Sequence, residues 1–176
     1  MFYLRDLPKY ETLLSHSQRY PEIDPPAYEA FLVLLRVASD VLSACEEYLA
    51  GHGLSQGRFT VLMILNRDPS GGLSPSDLAD RAGVTRATMT GLLDSLERDG
   101  LVRREPHPQD RRMLTVRLTP AGIERLDAMM PDYYRRIAAL MKGMTDEERR
   151  TVVTLLRKIE SNLPELAEPA AVEAAP

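Results

Sequence analysis

SPSDLADRAGVTRATMTGLLDSLERDGLVRREPHPQDRRMLTVRLT, residues 74–119, decides how this chain folds. Ser74 can N-cap a helix, with Pro75 at its first position, where a missing N–H costs nothing. Leu78 and Ala79 give that helix an apolar side. Gly83 can end it in a left-handed cap, and Val84 is the apolar residue of the turn. Thr85 is a good N-cap for a second helix. Met89, Leu92, Leu93 and Leu96 recur at helical spacing and predict its buried face. Arg86, Ala87, Thr88 and Thr90 lie off that face, small or hydrogen-bonding side chains suited to base edges and phosphates. Asp99-Gly100 closes the helix.

Two strands follow. One begins over Leu101 to Arg104. The other, Met113 to Thr119, alternates, with Leu114, Val116 and Leu118 on one side and Thr115 and Arg117 on the other, the period of a half-buried strand. Pro106 and Pro108 stiffen the loop between them, which also carries His107, Gln109, Asp110, Arg111 and Arg112. From Arg103 to Arg117 five arginines face Glu105 and Asp110, a local charge of +3 in a chain of net charge −4. A cationic hairpin tip on an acidic protein suggests a phosphate or minor-groove contact. Helix, turn, helix and hairpin in this order make a helix-turn-helix with a β-wing.

Outside this stretch the chain is helical. Ala27 to Leu49 reads as one long helix, with Phe31, Leu34, Leu35, Ala38, Leu42, Cys45 and Leu49 in a continuous stripe. Leu32, Val33, Val37 and Val41 widen it, as expected of a helix buried both against its own domain and against a partner subunit. Ser55 starts a helix to about Asn66, with Phe59, Leu62, Met63 and Leu65 inward. Thr119-Pro120 starts another, carrying Ile123, Leu126, Met130, Tyr133, Tyr134, Ile137 and Leu140; Pro131 should kink or split it. Thr145 and Glu148 form a capping box for a last helix with Val152, Val153, Leu155, Leu156, Ile159 and Leu163 inward.

Composition bounds the function. The acidic total looks wrong for a nucleic-acid binder, yet Glu160, Glu165, Glu168 and Glu173 lie in a terminal stretch without lysine or arginine, and removing residues 160–176 brings the net charge to 0. Local field is what binds. No apolar run reaches membrane-spanning length, and the N-terminus has no apolar signal core. A single cysteine fits a reducing cytoplasm. Cys45 lies on an apolar stripe and reads as a packed thiol. His16, His52 and His107 make no metal-ligand spacing, and neither a Ser/His/Asp arrangement nor a glycine-rich phosphate loop is present. No enzyme activity, metal or cofactor is expected. Met63, Met129, Met130 and Met141 read as gap-filling core.

At this point the chain resembles the MarR family of winged-helix transcription regulators. Leu54-Ser55 with Phe59, Leu62 and Leu65, Leu78-Ala79 with Gly83-Val84, Thr88-Met89-Thr90 with Leu92 to Glu97, and Gly100-Leu101-Val102 match in order. Asp110-Arg111-Arg112 leading to Leu118-Thr119 and Ala121-Gly122 resembles the family's wing signature. Gly91 departs from the family, many of whose members carry arginine or another polar residue there. The N-terminal Leu4 to Ser17, followed by Tyr20 to Asp24, looks like the extra helix of the urate-responsive and PecS-like subgroup. That subgroup often has a tryptophan in this helix; here there is none, and His16 stands near its place.

The resemblance implies a mainly α fold, a winged helix-turn-helix with long N- and C-terminal dimerisation helices and a two- to three-stranded β-wing. It divides the chain into an N-terminal extension with an extra helix (1–26), a helical dimerisation region (27–54 and 120–163), a winged-helix DNA-binding domain (55–119) and a disordered acidic tail (164–176). It implies a ligand-responsive repressor, cytoplasmic, binding double-stranded DNA as a homodimer on a near-palindromic operator. Expected DNA contacts are Ser76, Thr85, Arg86, Thr88, Thr90, Arg111 and Arg112, with Asp110 positioning the wing. Phe31, Leu35, Leu155, Leu156 and Ile159 are the expected dimer residues. His16, Arg36 and Tyr48, with Asp40 nearby, are the candidates for holding a small-molecule effector; taken singly, each also reads as an ion pair or a solvated helix face. The rival reading is a winged-helix protein-interaction module that touches no DNA.

Overall fold

Gly83 takes φ 65° and ψ 34°, and there the chain turns between two short helices, its left-handed backbone ending the first of them. The computed structural model describes residues 6–68, 71–106 and 113–167. Their order is α1 (Tyr10–Ser17), α2 (Pro25–Gly51), α3 (Gln56–Arg67), α4 (Pro75–Ala82), α5 (Arg86–Arg98), β1 (Val102–Pro106), β2 (Leu114–Leu118), α6 (Pro120–Leu140), α7 (Asp146–Ser161) and α8 (Leu163–Ala167). The fold is mainly helical, with one antiparallel two-stranded sheet that pairs Val102 with Leu118 and Pro106 with Leu114. A single bridge from Leu73 to Val116 adds a third, one-residue rung.

Capping chemistry sets most of the boundaries. Ser74, Thr85 and Ser55 each accept a backbone N–H three residues on, and Asp24 accepts from Ala27 N at 3.1 Å. Helix α2 starts two residues before the expected Ala27 because Pro25 and Pro26 fit a first turn that needs no N–H donors. Thr145 and Glu148 close the expected capping box, Thr145 N donating to Glu148 Oε2 at 2.7 Å. The Thr145 N–H and hydroxyl hold the Glu148 carboxyl below its ordinary range.

The chain divides into two compact units, Met1–Asp127 and Ala128–Pro176. The first unit has its core around Val61, Leu62, Leu78, Met89, Leu93, Leu96, Val102 and Val116, supplied by α3, α4, α5 and the hairpin. Leu13 buries α1 in the same unit. Gly122 is pressed against the start of β1, where a Cβ would lie 2.2 Å from the Leu101 carbonyl oxygen. Thr119 ties that corner, donating from its hydroxyl to Gly100 O at 2.6 Å and accepting from Gly122 N at 3.0 Å.

Two expectations are corrected and two are narrowed. Of the expected kink or split at Pro131 the split does not occur, since α6 runs through it. A proline deprives only the carbonyl four residues back of its donor, and that residue, Asp127, is where the first compact unit ends. In β2, Thr115 is buried and Leu114 is 45% exposed, against the expected alternation. Gly72 lies on Thr115, so close that a Cβ there would sit 2.7 Å from its methyl, while Leu114 stands toward the hairpin tip. Of the seven stripe residues in α2 only Leu49 is buried within one chain; the buried line is Leu32, Ser39 and Leu49. Finally, α8 occupies the first residues of the tail expected to be disordered. Leu163, Glu165 and Leu166 are good helix formers and Pro164 sits in the first turn, where it is tolerated.

Candidate nucleic-acid interface

Helix α5 is presented by its neighbours rather than by its own propensity. Met89, Leu93 and Leu96 are buried to within 1% and fasten its inner side to the core. Its first turn is locked by Thr85, whose Oγ1 accepts from Thr88 N at 3.1 Å and lies 2.9 Å from Thr88 Oγ1. Arg86, Ala87, Thr88 and Thr90 are all exposed, and Ser76 at the start of α4 is half-buried. Thr90 donates its hydroxyl to Arg86 O at 2.9 Å. The helix thus offers a polar N-terminal half whose one charged side chain is Arg86, a surface suited to base edges and phosphates.

A partly exposed ion cluster holds this helix to the hairpin. The Arg104 guanidinium reaches Asp94 Oδ1 at 2.7 Å and Glu97 Oε2 at 2.8 Å, and its Nη2 donates to Thr90 O at 3.4 Å. The Arg104 backbone N–H also donates to Glu97 Oε1 at 3.0 Å. Behind it, Arg103 and Arg117 face each other across the strand pair, a like-charge pairing that costs stability. Glu105 relieves it, accepting from Arg117 Nε and from Arg103 Nε, the latter at 3.2 Å. Arg117 also donates to Gly71 O at 2.8 Å, tying β2 to the loop before α4. At the far end of α5, Arg58 pairs with Asp99.

This arrangement recurs in known proteins. A family model described as "MarR family" matches residues 54–114. The HTH-type transcriptional repressor YetL of Bacillus subtilis is 41% identical over 153 residues, covering 87% of this chain and 92% of YetL. The chain belongs to the MarR family. A solved structure of Bordetella bronchiseptica BpsR, whose DNA binding is regulated by 6-hydroxynicotinic acid, is similar at 26% identity and a TM-score of 0.63, over 75% of this chain and 98% of that one. A Staphylococcus aureus MepR variant bound to an oligodeoxyribonucleotide is similar at 25% identity and a TM-score of 0.53, over 76% and 97%. As a MarR-family member the chain is a DNA-binding transcriptional regulator, not an enzyme, and the rival reading as a docking module without DNA is not favoured.

Within this MarR-family frame the wing's charge changes meaning. Arg103, Arg104 and Arg117 are spent on Glu105, Glu97 and Asp94, so the expected +3 overstates the field available to a partner. Arg111 and Arg112, with Asp110 and His107, lie outside the described residues. Sequence reasoning missed the Arg104 cluster. The signal was present: Glu97 stands at the end of α5 and Arg104 early in the next strand, joined by a turn of a few residues. Arg103 and Glu105, two apart in a strand, share a face by the same period that predicted the strand.

Glu105 gives a pH test. The Arg117 hydrogen bond, with Arg103 beside it, holds its carboxyl below the ordinary 4.5. A lowered folded pKa stabilises at pH values above the unfolded one, and that contribution is lost as pH falls through the folded value. Glu105→Gln should therefore melt below the native chain at pH 7, with the gap closing as pH falls below the ordinary carboxylate range. A gap independent of pH would contradict the role.

The remaining candidates are spread out. His16 is exposed on α1. Arg36 is ion-paired with Asp40 one turn on, which raises its pKa further. Tyr48 packs on His52 with ring centroids 4.7 Å apart. Arg36 and Tyr48 are 12 residues apart on α2, about 18 Å along the axis. Cys45 is half-buried and unpaired by any disulfide. Met63, Met129 and Met130 are buried, whereas Met141 is 38% exposed. Phe31, Leu155, Leu156 and Ile159 are exposed in the single chain, and Leu35 is half-buried. No group of His, Cys, Asp or Glu among the described residues could hold a metal ion, and no described helix is long and apolar enough to cross a membrane.

Proposed function

We propose that two copies of this chain bind a near-palindromic DNA operator, each placing α5 in a major groove and its wing tip in the flanking minor groove, as a cytoplasmic repressor released by a small molecule. The observation that carries this reading is the exposed, polar first half of α5 on a helix held from behind by the core and from the side by Arg104. A helix held this firmly can meet a groove without reorganising, and two of them at fixed separation read two half-sites one helical turn apart.

Contact roles follow. Arg86, Thr88 and Thr90 read base edges or neighbouring phosphates, Thr85 and Ser76 approach the backbone, and Arg111 and Arg112 serve the minor groove with Asp110 positioning one of them. Repression is supported by the 41% identity to YetL, named a repressor, and a small-molecule effector by the regulation of BpsR. Arg36 and Tyr48 are too far apart within one chain to share a drug-sized pocket, so any joint role needs the second copy. Release then shifts the spacing between the two α5 helices, weakening both contacts together.

Fluorescence anisotropy of the full chain on the DNA upstream of its own gene tests this. Thr88→Ala and Arg86→Ala should each weaken binding by about 10-fold. Arg111→Ala should weaken it on all sequences and reduce the salt slope of log K by about 1. Unchanged affinity in all three variants would sink the docking geometry.

A further inference from the structure

Gly91 stands in the middle of α5, a place where glycine weakens a helix relative to alanine. The chain itself has no use for it. Its φ is not positive, and a Cβ built on it would meet nothing within 4 Å. Three other glycines have visible reasons, although Gly51 at the last position of α2 is as open as Gly91: Gly83 needs its left-handed turn, Gly57 lets α3 approach Leu92, where a Cβ would lie 3.1 Å away, and Gly122 makes room for the Leu101 carbonyl. At about 100° per residue, Gly91 lies about 160–200° round the helix from Met89 and Leu93. It is on the exposed crest of α5, with Ala87 one turn before it.

On the same face, Ala87 and Ser95 stand one turn either side of the gap, with Thr88 and Asp94 flanking it. Ala87 offers only a methyl. Thr90 has already given its hydroxyl proton to Arg86 O, leaving its methyl and oxygen lone pairs. A bare stretch of helix backbone with the Ala87 methyl one turn before it leaves room for one feature of the major groove, the 5-methyl of thymine. We propose that Gly91 is a specificity-determining position, where the missing side chain lets the edge of a T·A pair, methyl foremost, rest against the α5 backbone. This rests on the docking of α5 in the major groove.

The test compares stability with binding. Gly91→Ala should raise Tm by about 2 °C or more, since alanine favours the helix and finds open space. It should also weaken binding by about 10-fold to a duplex selected from a random pool by the full chain. Replacing thymine by deoxyuridine, one position at a time, should weaken wild-type binding at one position in each half-site. A lower Tm would mean that Gly91 serves the fold and would overturn the proposal. So would a raised Tm with unchanged or tighter binding, provided Thr88→Ala still weakens it. If Thr88→Ala and Gly91→Ala both bind like wild type, α5 is not the reading element and the docking itself fails. Deoxyuridine without effect at every position overturns the thymine assignment.

Discussion

Exchanging Leu155 and Ile159 together for glutamate should leave a folded monomer that binds operator DNA at least about 100-fold more weakly. Helix α7 has no buried residue within one chain, yet it places Val152, Leu155, Leu156 and Ile159 at helical spacing. Leu155 is 52% and Ile159 45% exposed. An amphipathic helix with an uncovered apolar face is unstable as a free surface and finds a partner. Covering one such side chain contributes about 1.5–3 kcal/mol, and a symmetric interface counts each residue twice. Two glutamates reverse that gain and add unpaired charge. The helix itself survives, because glutamate forms helix nearly as well as leucine and the Thr145–Glu148 capping box is untouched. A monomer keeps one half-site and loses the other. Sedimentation equilibrium with anisotropy on the same samples decides it. A dimer that persists, or a monomer that binds as tightly as wild type, would contradict the assignment of α7 to the interface.

Gly122→Ala should be the most destabilising single methyl in the reading unit. The new Cβ would lie 2.2 Å from Leu101 O, a backbone atom that cannot step aside without moving β1. Thr119, bonded to both Gly100 O and Gly122 N, fixes the same corner from the other side. Overpacking of this kind costs about 1–3 kcal/mol or more, a fall in Tm of about 2–12 °C for a chain this size. Operator affinity should fall with it, since β1 carries the Arg104 that holds α5. The same substitution at Gly91 is expected to raise Tm, so a calorimetric scan of the pair separates a glycine required by packing from one the chain does not need. Equal shifts at the two positions would contradict both assignments.

The sequence was most legible where local chemistry decides. Ser74, Thr85, Asp99-Gly100 and the Thr145–Glu148 box mark helix ends because each supplies hydrogen bonds or a backbone angle that few residues can, and the structure uses all of them. It was least legible where burial depends on residues distant in sequence. The stripe along α2 predicts a buried helix, yet in one chain Phe31, Val33, Val37 and Leu42 stand exposed while Leu32 and Ser39 are covered. Thr115 is inside because Gly72, more than 40 residues away, lies over it; no period-two count contains that. Counting arginines treated Arg103, Arg104 and Arg117 as free charge, when strand pairing and a tight turn bring each to a carboxylate. Pro131 breaks one hydrogen bond but not α6, since the turns on either side hold it.

The most direct test is to select duplexes from a random pool with the full chain and to weigh the resulting complex. The expected result is an inverted repeat with half-sites about one helical turn apart and two chains on each duplex. An unrepeated motif held by a single chain, or no enriched sequence at all, would contradict it.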